Sequence, residues 1–127
     1  MPGKPFIALL ILLSVPFFSY SQGRLSSNAQ ISVITCEPGN EMYSAFGHSA
    51  IRISDPNSKT DLIFNYGTFD FDTPNFYLKF ARGKLDYMLS ISPYKHYIKS
   101  YKRDKRGVRE QVLNLDGKQK QKIYDYL

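Results

Sequence analysis

The chain has 127 residues, a formal net charge of +6 and a single cysteine. That length suits one small domain, and one cysteine excludes both a disulfide framework and a cysteine-based zinc cage. The charge is lopsided: residues 22–94 hold six basic and seven acidic side chains, whereas residues 95–127 hold ten and four.

The N-terminus reads MPGKPFIALLILLSVPFFSYSQG. Lys4 supplies a positive start, Phe6 to Phe18 is an apolar run, and Ser19-Tyr20-Ser21 offers small residues around a cleavage point. Such a run makes about 20 Å of helix at roughly 1.5 Å per residue, short of a bilayer core of about 30 Å. Residues 1–21 are therefore expected to be a cleaved secretory signal peptide, with an uncleaved anchor as the rival. An exported chain with no nucleic-acid motif is not expected to bind nucleic acid. Polar residues 22–29 are expected to form a flexible leader, and residues 30–127 a single domain.

QISVITCE reads as a strand, PGNE as a turn, and Glu41 to Phe46 as one helical turn. HSAIRIS and DLIFNYG read as two strands joined by the loop DPNSKT, and so short a loop requires an antiparallel pair. In the first of these, Ala50 falls out of phase with Ile51 and Ile53. Asp72 or Thr73 is expected to cap a short helix with Pro74 at its first position and Gly83 at its end. LDYMLSISP and VREQVLNL are further strands, separated by YKHYIKSYK, whose Tyr94, Tyr97, Ile98 and Tyr101 recur at helical spacing. Asp116 is expected to cap a last helix, GKQKQKIYDYL, whose apolar face is still opening at Leu127. That pattern suggests the N-terminal part of a longer protein. The fold class expected is α+β, an antiparallel sheet with short helices.

Two residues invite chemistry. His48 opens a strand behind Gly47, where an imidazole can serve as a general base near neutral pH or sit as a hydrogen-bonded core group. Cys36 lies twelve residues upstream and is either a nucleophile activated by His48 or a small buried hydrophobe. It ends a strand instead of starting a helix, and Glu37 beside it disfavours a thiolate, so the second reading leads. His96 reads as a surface residue, and Asp70 and Asp72 as loop or cap residues. No metal or cofactor is expected. Phe69 and Phe71 stand in a dense aromatic stretch suited to core packing or to cradling an acyl chain. KSYKRDKRGVR is either an ordinary solvated face or a patch for anionic lipid headgroups.

The blocks TCEPGNEMYSAFGHSAIRI and FNYGTFDFDTPNFYLKFARGKLDYMLS together resemble the Lnb N-terminal periplasmic domain family of bacterial envelope proteins, over roughly Gln30 to Leu127. The resemblance implies a circularly permuted papain-like fold of the NlpC/P60 type, incomplete in this chain. It implies a periplasmic location, His48 as the catalytic histidine and Asn65 as the group that orients its ring. It also implies a nucleophilic cysteine in an Asn-Cys motif that this chain does not contain. The activity implied is that of a lipoprotein N-acyltransferase, with a phospholipid as acyl donor and a lipoprotein's N-terminal amine as acceptor. A cell-wall cysteine amidase or peptidase and a non-catalytic envelope binding module are the alternatives.

Overall fold

The computed structural model describes residues 23–127, so the signal-peptide reading of residues 1–21 lies outside the described residues. Five strands, β1 (Gln30–Cys36), β2 (His48–Asp55), β3 (Thr60–Thr68), β4 (Met88–Pro93) and β5 (Val108–Val112), form one sheet. Its order is β4-β3-β2-β1-β5, and every neighbouring pair is antiparallel. The helices are α1 (Phe76–Ala81), α2 (Tyr94–Arg103) and α3 (Gly117–Tyr126), with a single 3₁₀ turn at Met42–Ser44. The α+β class and the DPNSKT hairpin are as the sequence predicts. Among the described residues no helix is long and apolar enough to cross a membrane.

The sheet is covered on both faces. Ile31, Ile53 and Phe64 form one buried cluster, onto which Leu113, Leu115, Ile123 and Tyr124 pack from the C-terminal segment. Ile34, Cys36, Ala50 and Ile63 form the other, under Tyr94, Tyr97 and Tyr101 of α2. Two buried faces explain why the strands do not alternate cleanly, since each fully buried Ile is worth about 1.5–3 kcal/mol on either side. They also explain Ala50: it pairs with Ile34 and packs under α2, on the face opposite Ile53. On this second face Arg52 bonds Asp61 through Nε and Nη2 (2.7 and 2.8 Å) and Glu110 through Nη1 (3.0 Å). The Tyr94 ring lies 3.5 Å from that guanidinium, so one cation ties β5, β2, β3 and α2 together.

Three expectations are corrected. Residues 23–29 are not a loose leader throughout. Ala29 is buried at 1% exposure, Leu25 packs on the sheet, and the Leu25 N–H donates to Gln121 Oε1 at 2.9 Å. The Ser26 N–H (2.8 Å) and hydroxyl both donate to Asp55 at the end of β2. Next, α1 is not capped by Asp72 or Thr73. Its N-cap is Asn75 in the left-handed region (φ 57°), without a side-chain cap. The Asp70 carboxylate instead accepts from the Asp72 N–H at 2.9 Å, a local turn that competes with capping. Finally, LDYMLSISP contributes only Met88–Pro93 to the sheet. Gly83 does close α1, bonding Phe80 O at 3.0 Å, and Asp116 caps α3 in a reciprocal capping box with Gln119.

The Asp55 contacts carry a pH prediction. Hydrogen bonds from the Ser26 side chain and backbone, ahead of the opposing burial, hold the Asp55 carboxyl below its ordinary value. A depressed folded-state value means the contribution is present above the unfolded carboxyl range, near 3.9, and is lost as pH falls through the folded value. The melting temperature of wild type should therefore drop more steeply than that of Asp55→Asn below about pH 4. Parallel slopes in thermal melts from pH 7 to pH 2 would refute the coupling.

Candidate functional site

His48 stands at the first position of β2, and Gly47 before it has φ +73°. A Cβ on Gly47 would lie 2.6 Å from the Cys36 carbonyl oxygen, so the chain can turn into β2 against β1 only because this residue is glycine. The imidazole is then directed toward β3. Its Nε2 hydrogen-bonds Asn65 Oδ1. An amide oxygen only accepts, so Nε2 is the donor in this contact, and in the neutral imidazole that leaves Nδ1 as the acceptor nitrogen. Nδ1 makes no hydrogen bond to any described residue.

The ring fits because of Gly67, which reasoning from sequence did not single out. β3 and β4 pair Tyr66 with Leu89 and Thr68 with Met88, so Gly67 is the extra residue of a β-bulge. It has φ +122°, and a Cβ there would come within 3.1 Å of His48 Cε1. The available signal was a glycine inside a strand pattern, which marks bulges and close approaches.

Two open compartments meet at His48. One, of about 230 Å³, is lined by Ser44, Asn65, Thr68, Phe71, Tyr101 and Arg106. The other, of about 480 Å³, is lined by Phe46, Tyr66, Phe80 and Tyr87. Tyr43, Gly47, His48, Gly67 and Phe69 border both. The wall between them is an aromatic cluster: Phe69 lies 5.1 Å from Phe71, 5.3 Å from Phe76 and 5.7 Å from Tyr87, with Tyr43 at 4.9 Å from Phe71. Aromatic pairs in such geometries are worth about 0.5–1.5 kcal/mol each beyond their burial. Phe69 and Phe71 are thus part of one packed cluster, yet Phe71 stays exposed at the rim.

Cys36 is the cross-strand partner of His48 and faces the same side of the sheet. The two are nevertheless not brought together. Cys36 is 2% exposed and lines neither compartment. Its Sγ lies 3.3 Å from the Tyr97 hydroxyl, which in turn donates to the Tyr101 hydroxyl at 3.4 Å. Burial, then the thiol contact, pushes the Tyr97 hydroxyl's pKa well above the ordinary tyrosine value, and burial likewise raises that of Tyr101. These phenols stay protonated and cannot take a proton from the thiol. Cys36→Ala should therefore preserve activity while lowering stability by roughly 1–2 kcal/mol, because the methyl leaves a small void under α2. Activity lost from a fully folded variant would make Cys36 the nucleophile.

His96 is exposed on α2, and Asp70 and Asp72 close their own turn. Among the described residues no three His, Cys, Asp or Glu side chains are placed to hold a metal ion. No curated protein and no solved structure matches this chain. The family model for the Lnb N-terminal periplasmic domain matches residues 20–127, a span that contains the histidine strand, the asparagine strand and both compartments, and the chain belongs to that family.

Proposed function

We propose that this domain supplies the base half of a thiol-dependent acyl transfer in the periplasm, with His48 as general base and Asn65 as the residue that orients it. The observation that carries this reading is the His48–Asn65 hydrogen bond, which leaves Nδ1 as the proton acceptor at the junction of the two compartments. A histidine oriented by an asparagine and serving a thiol is the Cys-His-Asn arrangement of papain-like chemistry. The permuted NlpC/P60-type fold is proposed on the same grounds. Cys36 is engaged with Tyr97, and in this reading it is not the nucleophile.

In this scheme Nδ1 takes the thiol proton as sulfur bonds to the acyl carbon of a phospholipid ester. The ester C–O bond breaks and the proton passes to the departing alkoxide. The amine of a lipoprotein's N-terminal cysteine, partly neutral with a pKa of about 7.7–8, then attacks the thioester. Its nitrogen gains the acyl carbon, the C–S bond breaks, and Nδ1 returns the amine's proton to sulfur. The aromatic cluster shields the thioester from water. The exposed side chains of Lys95, Lys99, Lys102 and Arg103 on α2 suit an anionic headgroup layer.

Mass spectrometry tests the proposal. Protein expressed from its native reading frame, with phospholipid donor and a diacylated lipoprotein bearing a free α-amine, should yield lipoprotein heavier by one acyl chain. Cleaved muropeptide with unchanged lipoprotein would replace the proposal with a cell-wall hydrolase.

A further inference from the structure

The two compartments differ in chemistry. The larger is walled by Phe46, Tyr66, Phe80 and Tyr87, and among the described residues no Asp, Glu, Lys or Arg lines it. Phe46 is 90% exposed, a large apolar side chain left in water beside the site. The compartment's volume lies within the range of small-molecule sites. The smaller holds Arg106, and among the described residues no carboxylate lines either compartment. Arg106 is held in place: Nε and Nη2 donate to the Glu37 carbonyl at 3.0 and 2.7 Å, and the guanidinium lies over the Tyr101 ring at 4.7 Å. The Glu37 carboxylate is taken up by the Gly107 N–H at 3.1 Å. Arg106 Nη1 makes no hydrogen bond to a described residue, and a fixed guanidinium with free N–H groups is suited to a phosphate oxygen pair.

We propose that the Phe46 compartment binds the acyl chain of the substrate ester and that Arg106, across His48, binds the phosphate of its alcohol half. The cleft thereby reads polarity in one direction, placing the ester carbonyl beside Nδ1. This assignment rests on the acyl-transfer reading, and it names the residues that select a glycerophosphate ester over a neutral one.

The test is calorimetric binding to protein expressed from its native reading frame, using two monomeric probes of equal chain length. One is a lysophosphatidylglycerol, the other a neutral monoacylglycerol. Arg106→Gln should weaken the phosphate probe about tenfold and leave the neutral probe unchanged, the size expected for one charge-assisted contact. Arg106→Lys, which keeps the charge, should retain most of the preference. Phe46→Ser should weaken both probes alike, by about three- to tenfold for partial burial of one ring. An equal loss of both probes on Arg106→Gln, or no loss of either on Phe46→Ser, would overturn the assignment. The catalytic reading fails separately: probes that bind with this pattern in a protein that transfers no acyl chain support the assignment and sink the transfer.

Discussion

His48→Gln should lower the acyl-transfer rate by about 10²–10⁴-fold, the usual worth of a general base, while the melting temperature stays close to that of wild type. The side chain is only partly buried and packs on a glycine, so little apolar contact is lost. Its structural tie is the bond from Nε2 to Asn65 Oδ1, and the amide N–H₂ of glutamine can make the same donation. What glutamine lacks is a nitrogen able to hold and return a proton. A structural histidine would show the opposite pattern, with activity per folded molecule intact and the melting temperature lowered. Rate and melting temperature measured on one preparation separate the two cases. Unchanged specific activity would remove His48 from the chemistry.

The parts of the fold that were legible in the sequence are those fixed by local chemistry. DPNSKT forced the β2–β3 hairpin, Asp116 announced the cap of α3, and Tyr94, Tyr97 and Tyr101 marked the inward face of α2. What stayed hidden depends on contacts distant in sequence. Nothing local to Ser26 shows that it will meet Asp55, 29 residues away. Asn75 starts α1 in the left-handed region, and Phe76 directly after it packs against Phe69 of the aromatic cluster, a contact that nothing local to Asp72 or Thr73 announces.

The site was legible to a similar depth. His48 and Asn65 were visible as a strand histidine and, through the family resemblance, its partner. Cys36 was readable as buried because it ends an apolar strand beside an acid. Arg106 was not separable from the basic run around it, because its role comes from the Glu37 carbonyl, 69 residues away. A charge run looks uniform in sequence, whereas the fold turns Arg106 inward over Tyr101 and leaves Lys102, Arg103 and Lys105 in solvent. Tyr101 is likewise placed by the helix periodicity, but its position at the cleft comes from the packing of α2 on the sheet.

Gly67→Ala should cost both stability and activity, by two separable routes. The first is backbone: φ of +122° is rarely adopted by an L residue, and holding alanine there costs on the order of 1–3 kcal/mol. The second is the ring. The new methyl would lie 3.1 Å from His48 Cε1, closer than ordinary van der Waals contact, and the ring is pinned on its other side by Asn65. A pinned ring relieves the contact only by turning, which lengthens the Asn65 bond and moves Nδ1 from the junction of the compartments. A displacement of this kind in a catalytic group is worth about a hundredfold in rate. If Gly67 acts on the reaction only through His48, the two substitutions are not independent. The double variant Gly67→Ala/His48→Gln should then be no slower than His48→Gln alone, although its stability loss should match that of Gly67→Ala. Rates that multiply in the double variant would assign Gly67 a task of its own, such as close approach of the substrate backbone. Full activity in a folded Gly67→Ala protein would show that the ring has room to spare and that the bulge serves only the sheet.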